Sequence, residues 1–250
     1  MKKTFGILLT VILSYSCFAQ NGFYLGYENG AKWDKFYYIN DKGYNLEQLQ
    51  LDGVFSAYIG YRLKEYTIET GFQGFYSSSP SVIYNYTTSK PSKSNSSGGS
   101  SSMDSWIIPL RFGKDFKMCK NRFFVKPELS LTTIIARNYS SKQPSGGWGE
   151  NVSFPGDTTF VPTTPDSTRG YWYRPLKVNF GIETGLSIGY RFKEKADIYI
   201  KGSYHSSFSP LFYDTVTHYS ATETVKGTQT FTGISILFQI GLKYYFAKQK

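Results

Sequence analysis

The chain has 250 residues, with 28 Lys and Arg against 18 Asp and Glu, a formal charge of +10, 40% hydrophobic and 18% charged residues. That balance excludes a highly charged disordered chain. Aromatic residues reach 18%, a content that suits a lipid–water boundary, which favours rings with an apolar body and a polar edge, better than a soluble core.

Residues 1–20 read as an export signal. Lys2 and Lys3 form the positive start, residues 5–13 are apolar, and Ser16, Cys17, Phe18 and Ala19 lead to a cut after Ala19 or Gln20. Lipid attachment at Cys17 is disfavoured, because Ser14 stands where a lipobox needs a Leu-like residue. Residues 21–250 then form one domain of charge +8, with Cys119 as the sole cysteine and no intramolecular disulfide. No later segment offers the ~20 consecutive apolar residues of a membrane helix. The basic residues gather at turns (Lys114, Lys117, Lys120 and Arg122; Lys193 and Lys195) and not along one stripe, which argues against nucleic acid.

Period-two alternation then recurs in chain order. Segments 22–27, 55–62, 66–73, 106–112, 123–131, 176–192, 198–204 and 233–246 each put apolar residues on one face and small, polar or charged residues on the other. In 176–192 the apolar set includes Ile182, Leu186 and Ile188, and the opposite set includes Glu183, Ser187 and Arg191. Pro127 removes a ladder donor and is expected near a bulge or strand end. Short connections fall around 64–65, 114–121 and 193–196, each of the first and third following an Ile-Gly-Tyr-Arg run that begins at Ile59 and Ile188. Long loops are expected over 29–50, 77–102, 138–174 and 206–230; residues 94–102 form a Ser/Gly tract.

Eight strands with alternating short and long links predict an all-β fold: an eight-stranded antiparallel up-and-down transmembrane β-barrel with short periplasmic turns and long extracellular loops. The apolar face is expected outside. An eight-stranded barrel has an interior just wide enough for side chains, which suits Gly60, Gly71, Gly181, Gly185, Gly189 and Gly241 and not eight rows of Phe, Tyr, Ile and Leu. Tyr61, Tyr66, Phe112, Phe123, Tyr190, Phe192, Tyr244 and Phe246 cluster near the short turns as one aromatic girdle, and Tyr27, Tyr76, Trp106 and Tyr204 are expected in the other.

The last segment, Gln239-Ile-Gly-Leu-Lys-Tyr-Tyr-Phe246, resembles the insertion signal of outer-membrane barrels: a polar residue, Gly241, and hydrophobic residues at Tyr244 and Phe246. With the alternation over 22–246, the chain resembles the small OmpA/OmpX-like barrels and the PorT-like outer-membrane barrel family. Here the signal is followed by residues 247–250 instead of ending on the aromatic residue. The resemblance implies residence in the outer membrane, with membrane lipid and the barrel-insertion machinery as partners, and allows a role in a secretion or envelope assembly.

The lumen face carries Glu28, Glu69, Glu128 and Glu183 with Arg62, Arg111, Lys126, Arg191, Lys201 and Lys243. Because an unpaired buried charge is strongly disfavoured, these are expected to pair as a structural plug, the alternative being a narrow ion path. His205 and Ser207 echo the His-x-Ser pair of barrels resembling the lipid A deacylases, but Phe208 follows where that family has Asn, His205 shares parity with lumen residues, and no Glu is clearly placed to orient the ring. Two His and one mature Cys leave a metal site short of ligands. The expectation is a non-enzymatic scaffold without cofactor, whose loops offer the binding surface for an envelope or surface protein.

Overall fold

The computed structural model describes residues 22–77, 82–85, 90–93, 102–118, 122–136, 143–148, 167–192, 195–219 and 224–246. The expected export signal, Cys119, Lys120, Lys193, the 94–101 part of the Ser/Gly tract and residues 247–250 lie outside them, as does the side chain of Tyr76.

The strands are β1 (Gly22–Asn40), β2 (Asn45–Leu63), β3 (Tyr66–Ser77), β4 (Val82–Asn85), β5 (Lys90–Lys93), β6 (Ser102–Lys114), β7 (Phe116–Met118), β8 (Phe123–Ala136), β9 (Gln143–Trp148), β10 (Ser167–Tyr173), β11 (Val178–Phe192), β12 (Ala196–Ser207), β13 (Phe212–Tyr219) and β14 (Thr224–Tyr245). Eight of them pair antiparallel in the order β1-β2-β3-β6-β8-β11-β12-β14, and β14 closes on β1. The described residues contain no helix. The predicted fold class is the observed one.

Register fixes the geometry. One row of paired residues runs Tyr24, Gly60, Glu69, Arg111, Ser130, Glu183, His205, Ser235, and returns to β1 at Asp34, ten residues beyond its start. That stagger is the shear of the barrel and obliges the strands to tilt. It also threads one lumen-facing residue from every strand onto a single turn.

The faces are as the alternation predicts. Ile182, Leu186 and Ile240 are 37%, 47% and 57% exposed, whereas Glu183 and Arg191 are 2% and 5% exposed. Tyr66, Phe112, Phe123, Phe192, Tyr244 and Phe246 are exposed at the short-turn end. Trp33 and Tyr204, both level with Ile236, mark the opposite edge of the apolar band. Tyr27 does not belong there: it pairs with Leu242 inside the band, nearer the short turns.

The loop expected over 29–50 is instead a hairpin. β1 and β2 continue past the band and turn at residues 41–44, where Gly43 has φ +81° and Asn40 Oδ1 accepts the N–H groups of Lys42 and Tyr44 at 3.1 and 2.9 Å. Likewise 206–230 contains β13 and the start of β14, 138–174 contains β9 and β10, and 77–102 contains β4 and β5. The hydrophobic phase explains the miss. Within the band β1 buries Glu28, Lys32 and Asp34; above it, β1 buries Phe36 and Tyr38 and turns Lys35 outward. The same parity faces inward throughout, but a strand leaving lipid for water exchanges the chemistry of its two faces, so one hydrophobic alternation breaks into two of opposite phase.

β14 serves two neighbours. Residues 235–244 pair with β12, residues 224–231 with β13, and β13 carries β10 and β9 outward from the barrel wall. At the exchange one residue of β1, Lys35, faces three of β14, Thr232, Gly233 and Ile234, and Gly233 has φ +74°. Pro127 lies mid-β8, not at its end, but across from it the β6 ladder stops: pairing lapses at Lys114 and Asp115 and resumes with β7.

Candidate functional site

The barrel interior is filled by charge. Arg111 on β6 grips both oxygens of Glu28 on β1, at 3.1 and 3.2 Å, and reaches Glu69 on β3 at 2.9 Å. Glu69 Oε1 also accepts from Lys126 at 2.6 Å and Lys243 at 2.8 Å. Lys126 pairs with Glu128, and Lys201 bonds Glu183 at 2.6 Å, with Glu128 at 3.6 Å and Glu28 at 3.8 Å. Tyrosine hydroxyls complete the shell: Tyr24 donates to Glu69 at 2.6 Å, Tyr199 to Glu28 at 2.7 Å, and Tyr58 meets Tyr199. Four carboxylates thus balance four cations from seven strands, all buried. Charge-assisted bonds offset the desolvation cost when charges are paired this closely, although Arg111 Nε and Glu183 Oε2 have no hydrogen-bond partner and Glu128 is held by ion pairs alone.

Of the ten residues expected in the lumen, the structure gathers eight here. Arg62 and Arg191 stand apart at the short-turn end, and their partners were not foreseen. Arg62 and Arg191 converge on Asp115, which enters the barrel mouth from the break between β6 and β7; the Arg191 contact is 3.1 Å. Arg191 is held by Asp197 at 2.7 and 2.8 Å, and Tyr245 donates to the same carboxylate at 2.7 Å. The two cations in excess on the lumen face are neutralised by these two aspartates. The signal available was parity for Asp197, one residue before Ile198; Asp115 had none, because it looked like a solvated turn residue.

Above the charges Lys32 pairs with Asp34, which accepts from Ser235 at 2.6 Å, and Lys32 Nζ lies 3.8 Å from the centre of the Phe75 ring. Next comes an apolar layer of Phe36, Val54, Phe75, Ile107, Ile134, Leu211, Phe212, Phe231 and Leu237. Each buried ring there contributes roughly 1.5–3 kcal/mol, and the layer packs apolar side chains over the upper end of the charged column.

His205 is fully buried on the lumen face. Its Nδ1 donates to the carbonyl of Gly233 at 2.9 Å, since a carbonyl can only accept, so Nε2 accepts from the Thr132 hydroxyl at 3.2 Å. Ser207 spends its hydroxyl on the carbonyls of Ser209, at 2.7 Å, and Thr232. Contrary to the sequence expectation, a glutamate does stand opposite the histidine: Glu183 pairs in register with His205. Cross-strand register cannot be read from one strand. Glu183 is committed to Lys201, however, and no bond joins His205 to Ser207 among those of the described residues.

The insertion-signal residues Gln239, Gly241 and Tyr244 lie on β14, which closes the barrel against β1, and Phe246 directly follows it. Gln239 and Gly241 face the lumen, Gly241 beneath the Tyr199 ring, while Tyr244 and Phe246 are exposed in the apolar band.

No protein-family model matches this chain, and no characterised protein matches it by sequence. Solved structures similar in fold include Neisserial surface protein A, at 10% identity over 90% of this chain and 97% of that one, TM-score 0.41. Another is the outer-membrane protein OprG from Pseudomonas aeruginosa, at 9% identity over 90% and 97%, TM-score 0.39. A third is a major outer membrane protein from Thermus thermophilus, at 10% identity over 89% and 99%, TM-score 0.38. It is the surface of this chain, apolar outside and charged inside, that makes it a membrane-spanning barrel.

Proposed function

We propose that this chain is a closed, non-enzymatic outer-membrane barrel that acts as a scaffold, its short turns in the periplasm and its extended strands outside the cell. The observation that carries the reading is the filling of the lumen: seven cations (Lys32, Arg62, Arg111, Lys126, Arg191, Lys201, Lys243) each bonded to a carboxylate, beneath an apolar layer. An ion crossing this path must shed its hydration and break paired charges at the same time. Planar-bilayer recording tests it. A silent bilayer with correctly folded protein is expected; stable, reproducible conductance steps would overturn the plug in favour of a narrow channel.

The scaffold displays a sheet above the membrane, formed by the upper parts of β2, β1 and β14 with β13, β10 and β9. Such a surface on a rigid frame suits a partner in the envelope or at the cell surface, and β14 suits the barrel-insertion machinery. Against acyl-transfer chemistry stands the burial of His205, which a membrane substrate does not reach. Lipid A of unchanged acylation in cells carrying the His205→Ala variant accords with that; loss of an acyl-chain modification would restore the enzyme reading.

A further inference from the structure

The exterior of the barrel has a notch in its lower girdle. The row that crosses β11, β12, β14 and β1 reads Phe192, Ala196, Tyr244, Leu25. One small side chain therefore sits between two rings, with Ile198, Leu242 and Tyr27 lining the wall above it, and the groove so formed is apolar, about 440 Å³ in volume. Its lower end is framed by the turn that joins β11 to β12. That turn is fixed by Lys195 N–H to the Phe192 carbonyl at 2.9 Å and by Tyr245 N–H to the Lys195 carbonyl, also 2.9 Å. Lys195 is exposed and next in the chain to Ala196.

We propose that this notch is a binding site for one anionic phospholipid of the periplasmic leaflet, an acyl chain lying over Ala196 and the phosphate at Lys195. The proposal rests on the membrane reading above and adds a ligand to it. Two features independent of each other coincide here. A girdle that needs only to be apolar gains nothing from Ala between Phe and Tyr, since a larger side chain buries more surface against lipid. An exposed lysine in the turn at the interfacial end of an apolar groove matches the layout of a phospholipid, with its charge at the headgroup and its chains directed into the band. A saccharide or a free phosphate would use the lysine but leave the groove unfilled.

The test is native mass spectrometry of delipidated, detergent-refolded protein given phosphatidylglycerol and phosphatidylcholine of the same chains in equal amount. The wild type is expected to retain phosphatidylglycerol preferentially, by about fivefold, the scale of one lysine against an anionic headgroup. Lys195→Glu should abolish the preference while keeping some lipid bound. Ala196→Phe, which fills the notch on a lipid-facing site and disturbs no buried group, should lower retention of both. Equal retention of the two lipids by the wild type, or an Ala196→Phe variant that binds as the wild type does, would overturn the site. Mobility of unheated against boiled samples is read in parallel: its absence in the wild type would sink the barrel reading itself, whereas a normal shift with failed lipid retention sinks this proposal alone.

Discussion

His205 donates its Nδ1–H to the carbonyl of Gly233, 2.9 Å away, at the point where β14 leaves β12 and takes β13 as its neighbour. A strand that changes partners leaves carbonyls without ladder donors. Here the Gly233 carbonyl is taken by His205 and the Thr232 carbonyl by Ser207, after which Leu211 N–H resumes the ladder at Phe231, 2.8 Å away. The His-x-Ser spacing, two residues on one face, is the spacing of two successive carbonyls at a bulge. That role accounts for both side chains without invoking acyl transfer.

Replacing His205 with Ala should therefore loosen the sheet above the membrane and spare the barrel. Loss of the donor leaves a buried carbonyl unpaired, at a cost of about 1–3 kcal/mol. Amide exchange in residues 224–232 should accelerate by the corresponding factor, with little change in residues 236–244. Uniform acceleration along the whole of β14 would show that the histidine supports the barrel instead.

Glu69 accepts from Arg111, Lys126, Lys243 and Tyr24 at once. The Glu69→Gln variant removes one charge from this node and strands a cation in the lumen. A loss of about 3–5 kcal/mol is expected, read as a lower urea midpoint for the unheated gel form. The Lys35–Glu47 pair, 2.8 Å apart on the outside of the hairpin, provides the contrast: Lys35→Ala should leave that midpoint where it is, because exposed pairs are screened. Equal effects from both would mean that the lumen charges are hydrated and not a packed network.

The barrel itself was legible because a bilayer makes parity rigid: a one-residue slip would put Glu183 into hydrocarbon and Ile182 into the charged lumen, so the sequence of β11 has a single tolerable reading. The hairpin above the membrane was not legible, since Phe36 and Lys35 exchange the roles that Leu25 and Glu28 play lower down, and two short patterns of opposite phase look like no pattern. Of the lumen site, parity revealed the charged residues carried on the strands, but not Asp115, which reaches the interior through a break created by a proline on the neighbouring strand. Lys32 and Asp34 share the phase of Glu28 but fell inside the stretch 29–50 expected to be a loop.

Gly60 lies directly across from Tyr24, whose ring covers it; a Cβ there would meet the ring at 2.2 Å. The ring has little room to withdraw, because its hydroxyl is bound to Glu69. Gly60→Ala should cost about 1–3 kcal/mol through overpacking. Gly202 faces lipid on β12 with nothing within 4 Å of an added Cβ, so Gly202→Ala should be neutral or stabilise slightly, by about 0.5–1 kcal/mol, through the reduced freedom of the unfolded chain. Thermal midpoints of the gel shift for the two variants check both signs. Similar midpoints would contradict the ring-over-glycine packing of the lumen.

His218 on β13 is buried in the sheet above the membrane, and burial holds its imidazole down to about 4, from an ordinary value of 6.5. The folded sheet keeps the ring neutral while the unfolded segment binds a proton below about 6.5, so protonation favours unfolding. The contribution of this residue is therefore complete above pH 6.5 and is lost as pH falls from there toward 4, with a slope of up to about 1.4 kcal/mol per unit. Amide exchange of residues 215–219 and 224–228, corrected for the intrinsic rate, should show opening that grows over that window in the wild type. His218→Phe keeps a ring at the site and removes the proton, so its opening should be flat with pH there. An identical profile in the two proteins would assign the acid sensitivity to another group.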